Sequence, residues 1–120
     1  MCIRDSCCPV TPDEIIRIIH KFPNNKALGN DNINSKILKE VSDIIVGPLT
    51  FIFNLSFTTG QVPDLLKIAK VVPIYKKGER NLPGNYRPIS LLSCFDKMIE
   101  KLMYKRLYDF LQRNNFLNKY

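Results

Sequence analysis

Residues 70–93 read KVVPIYKKGERNLPGNYRPISLLS. A β-branched and aromatic run, Val71, Val72, Ile74 and Tyr75, meets the basic pair Lys76 and Lys77. Turn-forming residues follow from Gly78 to Asn85, and then Tyr86-Arg87-Pro88-Ile89-Ser90. Branched and aromatic side chains suit a pleated strand, and glycine, proline and asparagine suit turns. The stretch therefore predicts two short extended pieces, residues 69–75 and 87–91, joined by a polar loop over residues 76–85. Pro73 places its piece at a sheet edge, because proline cannot donate to an inner ladder. Cations at the base of such a loop can grip a polyanion.

Outward from this hairpin the chain reads as helix on both sides. Ser93 and Asp96 form a capping box ahead of a helix over residues 93–113. Its expected apolar face is Met98, Ile99, Leu102, Met103, Leu107, Phe110 and Leu111. Lys97, Lys101 and Lys105 read as a solvated stripe, and Tyr104 and Tyr108 as packing residues. Upstream, Thr11-Pro12-Asp13-Glu14 starts a short helix carried by Ile15, Ile18, Ile19 and Phe22, which Pro23 stops. The loop NNKALGNDN follows, in which Asp31 reads as a turn former. A second helix is expected over residues 34–46. Gly47-Pro48 should break it and start a third, driven by Leu49, Ile52, Phe53 and Leu55 and ending near Gly60. Residues 62–66 suggest a single turn. The fold class is α+β: mainly α-helical with a short two-stranded antiparallel element.

Composition narrows the function. The chain has 120 residues, 45% of them hydrophobic, enough for one small domain. The net charge of +7 lies wholly in residues 61–120, where twelve Lys and Arg face five Asp and Glu. A basic half on a neutral half points to one polyanion-facing surface. No apolar run approaches the roughly 20 residues that span a bilayer, and no signal peptide is present, so an intracellular protein without membrane contact is expected. Cys2, Cys7, Cys8 and Cys94 lack paired spacing, and His20 is the lone histidine, which suggests neither a zinc site nor a disulfide framework. The opening Met1-Cys2-Ile3-Arg4-Asp5-Ser6 resembles the translation of a transposon-end sequencing adapter. Residues 1–8 are therefore expected to form a non-native, disordered head that packs against nothing.

Seven segments, in one order, resemble the reverse transcriptases of non-LTR (LINE-type) retrotransposons. They are the loop Lys26-Ala27-Leu28-Gly29-Asn30-Asp31-Asn32-Ile33, Ile37 to Glu40, Pro48-Leu49 to Phe53-Asn54, Gly60-Gln61-Val62-Pro63, Lys67 to Lys77, Tyr86 to Ser93, and Lys97 to Glu100. One departure is Asn30-Asp31-Asn32, where the family usually has Pro-Asp-Gly.

The resemblance implies the fingers of a right-hand RNA-directed DNA polymerase, with residues 9–120 forming a partial reverse transcriptase domain truncated before the palm. It implies an RNA template, a DNA primer and deoxynucleoside triphosphates as partners, besides the palm of the same polypeptide. A parent element would act in cytoplasm and nucleus. By motif, Arg87 and either Lys76 or Lys77 meet the triphosphate, while Lys67 and Lys70 touch nucleic-acid backbone. Two-metal phosphoryl transfer needs clustered carboxylates. Asp5, Asp13, Asp31, Asp43, Asp64, Asp96 and Asp109 include no adjacent pair. No catalytic or metal residue is assigned, Mg2+ is implied only for the full polymerase, and this portion alone is expected to be inactive. Two other readings stand beside this one: a small basic helical nucleic-acid-binding module without catalysis, and a helical protein-interaction domain.

Overall fold

The computed structural model describes residues 8–25 and 27–117. Most of the expected head, and Lys26 of the loop motif, lie outside them. In order come α1 (Pro12–His20), α2 (Ser35–Glu40), α3 (Ser42–Thr59), a 3-10 turn (Asp64–Lys67), β1 (Lys70–Tyr75), a second 3-10 turn (Pro83–Asn85), β2 (Tyr86–Leu91) and α4 (Cys94–Arg113). The expected α+β class, mainly helical with one antiparallel pair, is what the chain forms.

The helix ends follow local chemistry. Thr11 caps α1 through its side chain, with Pro12 in the first turn. The Asn34 side chain accepts from the Lys36 N–H and caps α2. Ser93 and Asp96 complete the capping box of α4, with bonds of 3.2 and 3.3 Å. Gly60 ends α3 in the left-handed conformation at φ 72°.

The middle helices break in a different place from the one expected. Gly47-Pro48 lies inside α3, and the chain turns instead at Val41, whose φ of −100° and ψ of 7° leave the helical basin. Beside it, buried Ser42 turns its hydroxyl to the Lys39 carbonyl at 2.9 Å, a local bond that competes with the helical ladder. At Pro48 the ladder loses one donor, but Gly47 has nothing within 4 Å of where a Cβ would stand. The proline therefore sits on an uncrowded outer turn and is tolerated.

Ile15, Ile19, Phe22, Leu38, Leu49, Phe53, Met98, Ile99 and Leu102, with Val10, form one core among the helices. Asn54 reaches from α3 to hold the N-terminal strap: its Oδ1 accepts from the Val10 N–H at 2.7 Å, and its Nδ2 donates to the Val10 carbonyl at 3.0 Å. Residues 1–7 of the expected head lie outside the described residues, and the Cys8 carbonyl accepts from Arg106 Nε at 2.7 Å. That bond ties the strap to α4. Four apolar assignments also need correction, among them Ile52 of α3, which is 38% exposed. Leu55 of α3 and Met103 and Leu107 of α4 are about half exposed. On α4 the buried seam runs through Met98, Ile99 and Leu102 to Arg106, whose side chain is 9% exposed. The Glu14 carboxylate of α1 meets the seam there, so a cation replaces the expected aliphatic residue.

Candidate nucleotide and nucleic-acid interface

The hairpin stands away from the helical core. Its strands pair Lys70 with Leu91, Val72 with Ile89, Pro73 with Pro88, Ile74 with Arg87 and Tyr75 with Tyr86. Val71, Ile74, Tyr75 and Ile89 remain 40–60% exposed. The radius of gyration, 17.6 Å, exceeds the roughly 14 Å of a compact chain of this length. The Lys76 N–H donates to the Asn85 carbonyl at 2.8 Å, which extends the ladder by one pair. Bonded pairs alternate with non-bonded pairs, so Pro73 and Pro88 face each other at a non-bonded position. Their missing donors point outward and cost the ladder nothing.

Alternation sorts the side chains onto two faces. Tyr75, Tyr86, Pro73 and Pro88 share one. Tyr75 and Tyr86 meet edge to face at 5.8 Å. The Tyr75 hydroxyl donates to the Gly78 carbonyl, the Tyr86 hydroxyl to Arg80 at 2.8 Å, and Asn85 Nδ2 to Glu79 at 2.8 Å. These bonds fold the 76–85 loop back on its own base, and the Arg80 guanidinium lies 5.5 Å over the Tyr75 ring. Gly78 sits at φ 95°, and a Cβ there would stand 2.7 Å from Asn85 Nδ2.

Lys70, Val72, Ile74 and Lys76 share the other face with Asn85, Arg87 and Ile89. Lys76 and Arg87 are diagonal neighbours across the strands, within reach of one anion. Among the described residues neither makes a hydrogen bond or ion pair through its side chain. Lys77 lies past the end of the ladder, in the bend that opens the loop. Lys67 is not grouped with these cations, since its ammonium pairs with Asp64 at 2.8 Å. Lys70 is exposed at the base of the hairpin, on the Arg87 face.

The loop carrying the glycine-aspartate motif is structural. Asp31 Oδ1 accepts from the Ile33 N–H at 3.2 Å, the bond of an Asx turn. Buried Gly29 lies against the start of α4, where a Cβ would be 2.8 Å from the Ser93 nitrogen. Burial pushes the Asp96 carboxyl above the usual carboxylate range. Its Oδ1 has no partner among the described residues. Among those residues no three His, Cys, Asp or Glu side chains converge to hold a metal ion.

Sequence comparison gives the chain its relatives. The chain is 33% identical over 110 residues, 91% of its length, to a probable RNA-directed DNA polymerase from transposon BS of Drosophila melanogaster. It is 32% identical over 100 residues, 82% of its length, to the RNA-directed DNA polymerase from mobile element jockey of Drosophila funebris. The chain is a relative of the RNA-directed DNA polymerases of non-LTR retrotransposons. It is also 31% identical over 105 residues to a probable polymerase of the same kind from transposon X-element. The chain spans about a tenth of the length of these curated relatives: 12%, 11% and 12%. No protein-family model matches it. Among the described residues no helix is long and apolar enough to cross a membrane.

Proposed function

We propose that this chain is the fingers portion of an RNA-directed DNA polymerase, and that its hairpin delivers the incoming nucleotide. Arg87 grips the triphosphate with a planar fork and Lys76 adds a point charge. Lys70 contacts template or primer backbone at the hairpin's base, and Lys67 reinforces it where phosphate displaces Asp64. Lys77 is the outer, dispensable cation. The observation that carries the reading is the shared, uncommitted face of Lys76 and Arg87 in a chain related to these polymerases. The carboxylates and Mg2+ of the reaction belong to the palm in this reading, and residues 9–120 alone extend no primer. The parent element works inside the cell, on RNA template and DNA primer.

Titration of the 120-residue chain with deoxynucleoside triphosphate, followed by amide NMR, tests the nucleotide role. Shifts should centre on Ile74, Lys76, Arg87 and Ile89, weaken with salt, and vanish in Arg87→Ala. Shifts confined to α1 or α3 would contradict the assignment.

A further inference from the structure

The outward face of α4 carries a feature that the nucleotide role does not use. Tyr104 and Tyr108 are 67% and 42% exposed and stack on each other, with ring centroids 5.8 Å apart and planes 22° apart. They stand opposite the buried seam of Met98, Ile99, Leu102 and Arg106, so they are not the packing residues that their spacing suggests. At 100° per residue, Lys97 and Lys101 fall on the same outward face as the two rings, and Lys105 flanks it. The surface runs about 16 Å from residue 97 to residue 108 at 1.5 Å per residue.

We propose that this face binds unpaired nucleic acid, with Tyr104 and Tyr108 as a stacking platform and Lys97, Lys101 and Lys105 as phosphate contacts. The inference rests on the polymerase reading above and adds a second surface to it. Two aromatic rings left in water forgo the stabilisation of burial, while their outer faces stay open to a base. Stacking of bases on such rings tolerates any sequence, and duplexes do not offer their ring faces. The cations are placed but not consumed. Lys101 Nζ lies 4.8 Å from the centre of the Phe22 ring. Lys105 is 64% exposed and 3.5 Å from Glu14, a carboxylate that Arg106 already holds at 3.0 Å. Lys97 and Lys101 also line a cavity of about 170 Å³ with Phe22, Leu28, Ile33 and Leu92. An apolar recess beside two ammonium groups suits an unstacked base with its phosphate. Glu100 lines that same cavity and opposes phosphate.

Fluorescence anisotropy of the 120-residue chain with a labelled single-stranded RNA, repeated across salt concentrations, tests this. Tyr104→Ala/Tyr108→Ala should bind the single strand about tenfold more weakly with an unchanged salt slope, and bind a duplex as before. Tyr104→Phe/Tyr108→Phe should keep wild-type affinity. Lys97→Gln/Lys101→Gln should lower the log–log salt slope by about 1.4. Glu100→Gln should tighten binding. The proposal is overturned if the wild-type chain does not bind the single strand, if the alanine pair binds within twofold of wild type, or if it weakens single strand and duplex equally. Arg87→Ala separates the two readings. Loss of its triphosphate shifts beside a silent alanine pair leaves the nucleotide role standing alone. A weakened alanine pair, in a chain without triphosphate shifts on the hairpin, leaves only this surface.

Discussion

Gly29, Asn32 and Gly78 show what single residues decide. Gly29 is glycine for lack of room, and Gly78 because its φ of 95° strains any residue with a Cβ. A Cβ at Gly29 would meet backbone atoms of Leu92 and Ser93 at 2.8–2.9 Å, and backbone cannot swing aside. Gly29→Ala should therefore destabilise the chain by about 1–3 kcal/mol, read as a lower denaturant midpoint at unchanged slope. An unchanged midpoint would show that the loop does not seat on α4. Asn32 sits at φ 56°, where the family usually has glycine, and asparagine is among the few residues that accept that conformation. Asn32→Gly should be nearly neutral, whereas Asn32→Val should cost about 1–2 kcal/mol in the same measurement. The turn chemistry of Asp31 was legible in the sequence because its partner is two residues away. The tight approach of Gly29 was not, because its neighbours are more than sixty residues distant.

Elements bounded by local signals could be read, and those set by distant partners could not. Thr11, Gly60, Ser93 and the 70–93 hairpin carry their instructions within a few residues. Pro48 gives a strong local stop signal, yet α3 runs through it, because the turn there faces outward and Val41–Ser42 supplies the bend instead. The α1–α4 contact was likewise invisible, since helical spacing alone gives Arg106 no reason to be buried. Arg106 donates to both Glu14 carboxylate oxygens, at 3.3 and 3.0 Å, and to the Leu102 carbonyl, and it lies 5.4 Å from the centre of the Phe57 ring. Burial alone would raise the Glu14 pKa, but Arg106 and then Lys105 outweigh it and hold the carboxyl below its usual value. A lowered folded pKa gives stability above the unfolded value and loses it as pH falls through the folded one. Arg106→Ala should cost about 3 kcal/mol near neutral pH. Glu14→Gln should cost less, and its gap from wild type should close as pH drops below about 4. Thermal melts across pH check both. A gap that widened in acid would reverse the assigned sign.

At the scale of the whole molecule, a small helical core carries an exposed hairpin and two open helix faces. Ile44, Phe51 and Leu55 lie on α3 opposite buried Leu49 and Phe53, with exposures of 78%, 69% and 50%. Met103 and Leu107 add apolar area on α4, at 48% and 55%. Apolar surface of this extent favours association. The chain should bind a hydrophobic dye and self-associate at raised concentration, as sedimentation would show. Ile44→Lys/Phe51→Lys should suppress both without lowering the melting temperature. A monomer that ignores the dye would mean those side chains fold back onto the core.

In the proposed division of the basic half, the hairpin takes the nucleotide and the α4 face takes the strand. The most direct test is a chimera in which residues 10–117 replace the aligned segment of the jockey polymerase, assayed by steady-state primer extension. Arg87→Ala and Lys76→Ala should each raise the nucleotide KM or lower kcat/KM by about tenfold or more, with template affinity little changed and Lys77→Ala mild. Nucleotide KM and kcat unchanged in Arg87→Ala, or Lys77→Ala costing more than Lys76→Ala, would contradict the account.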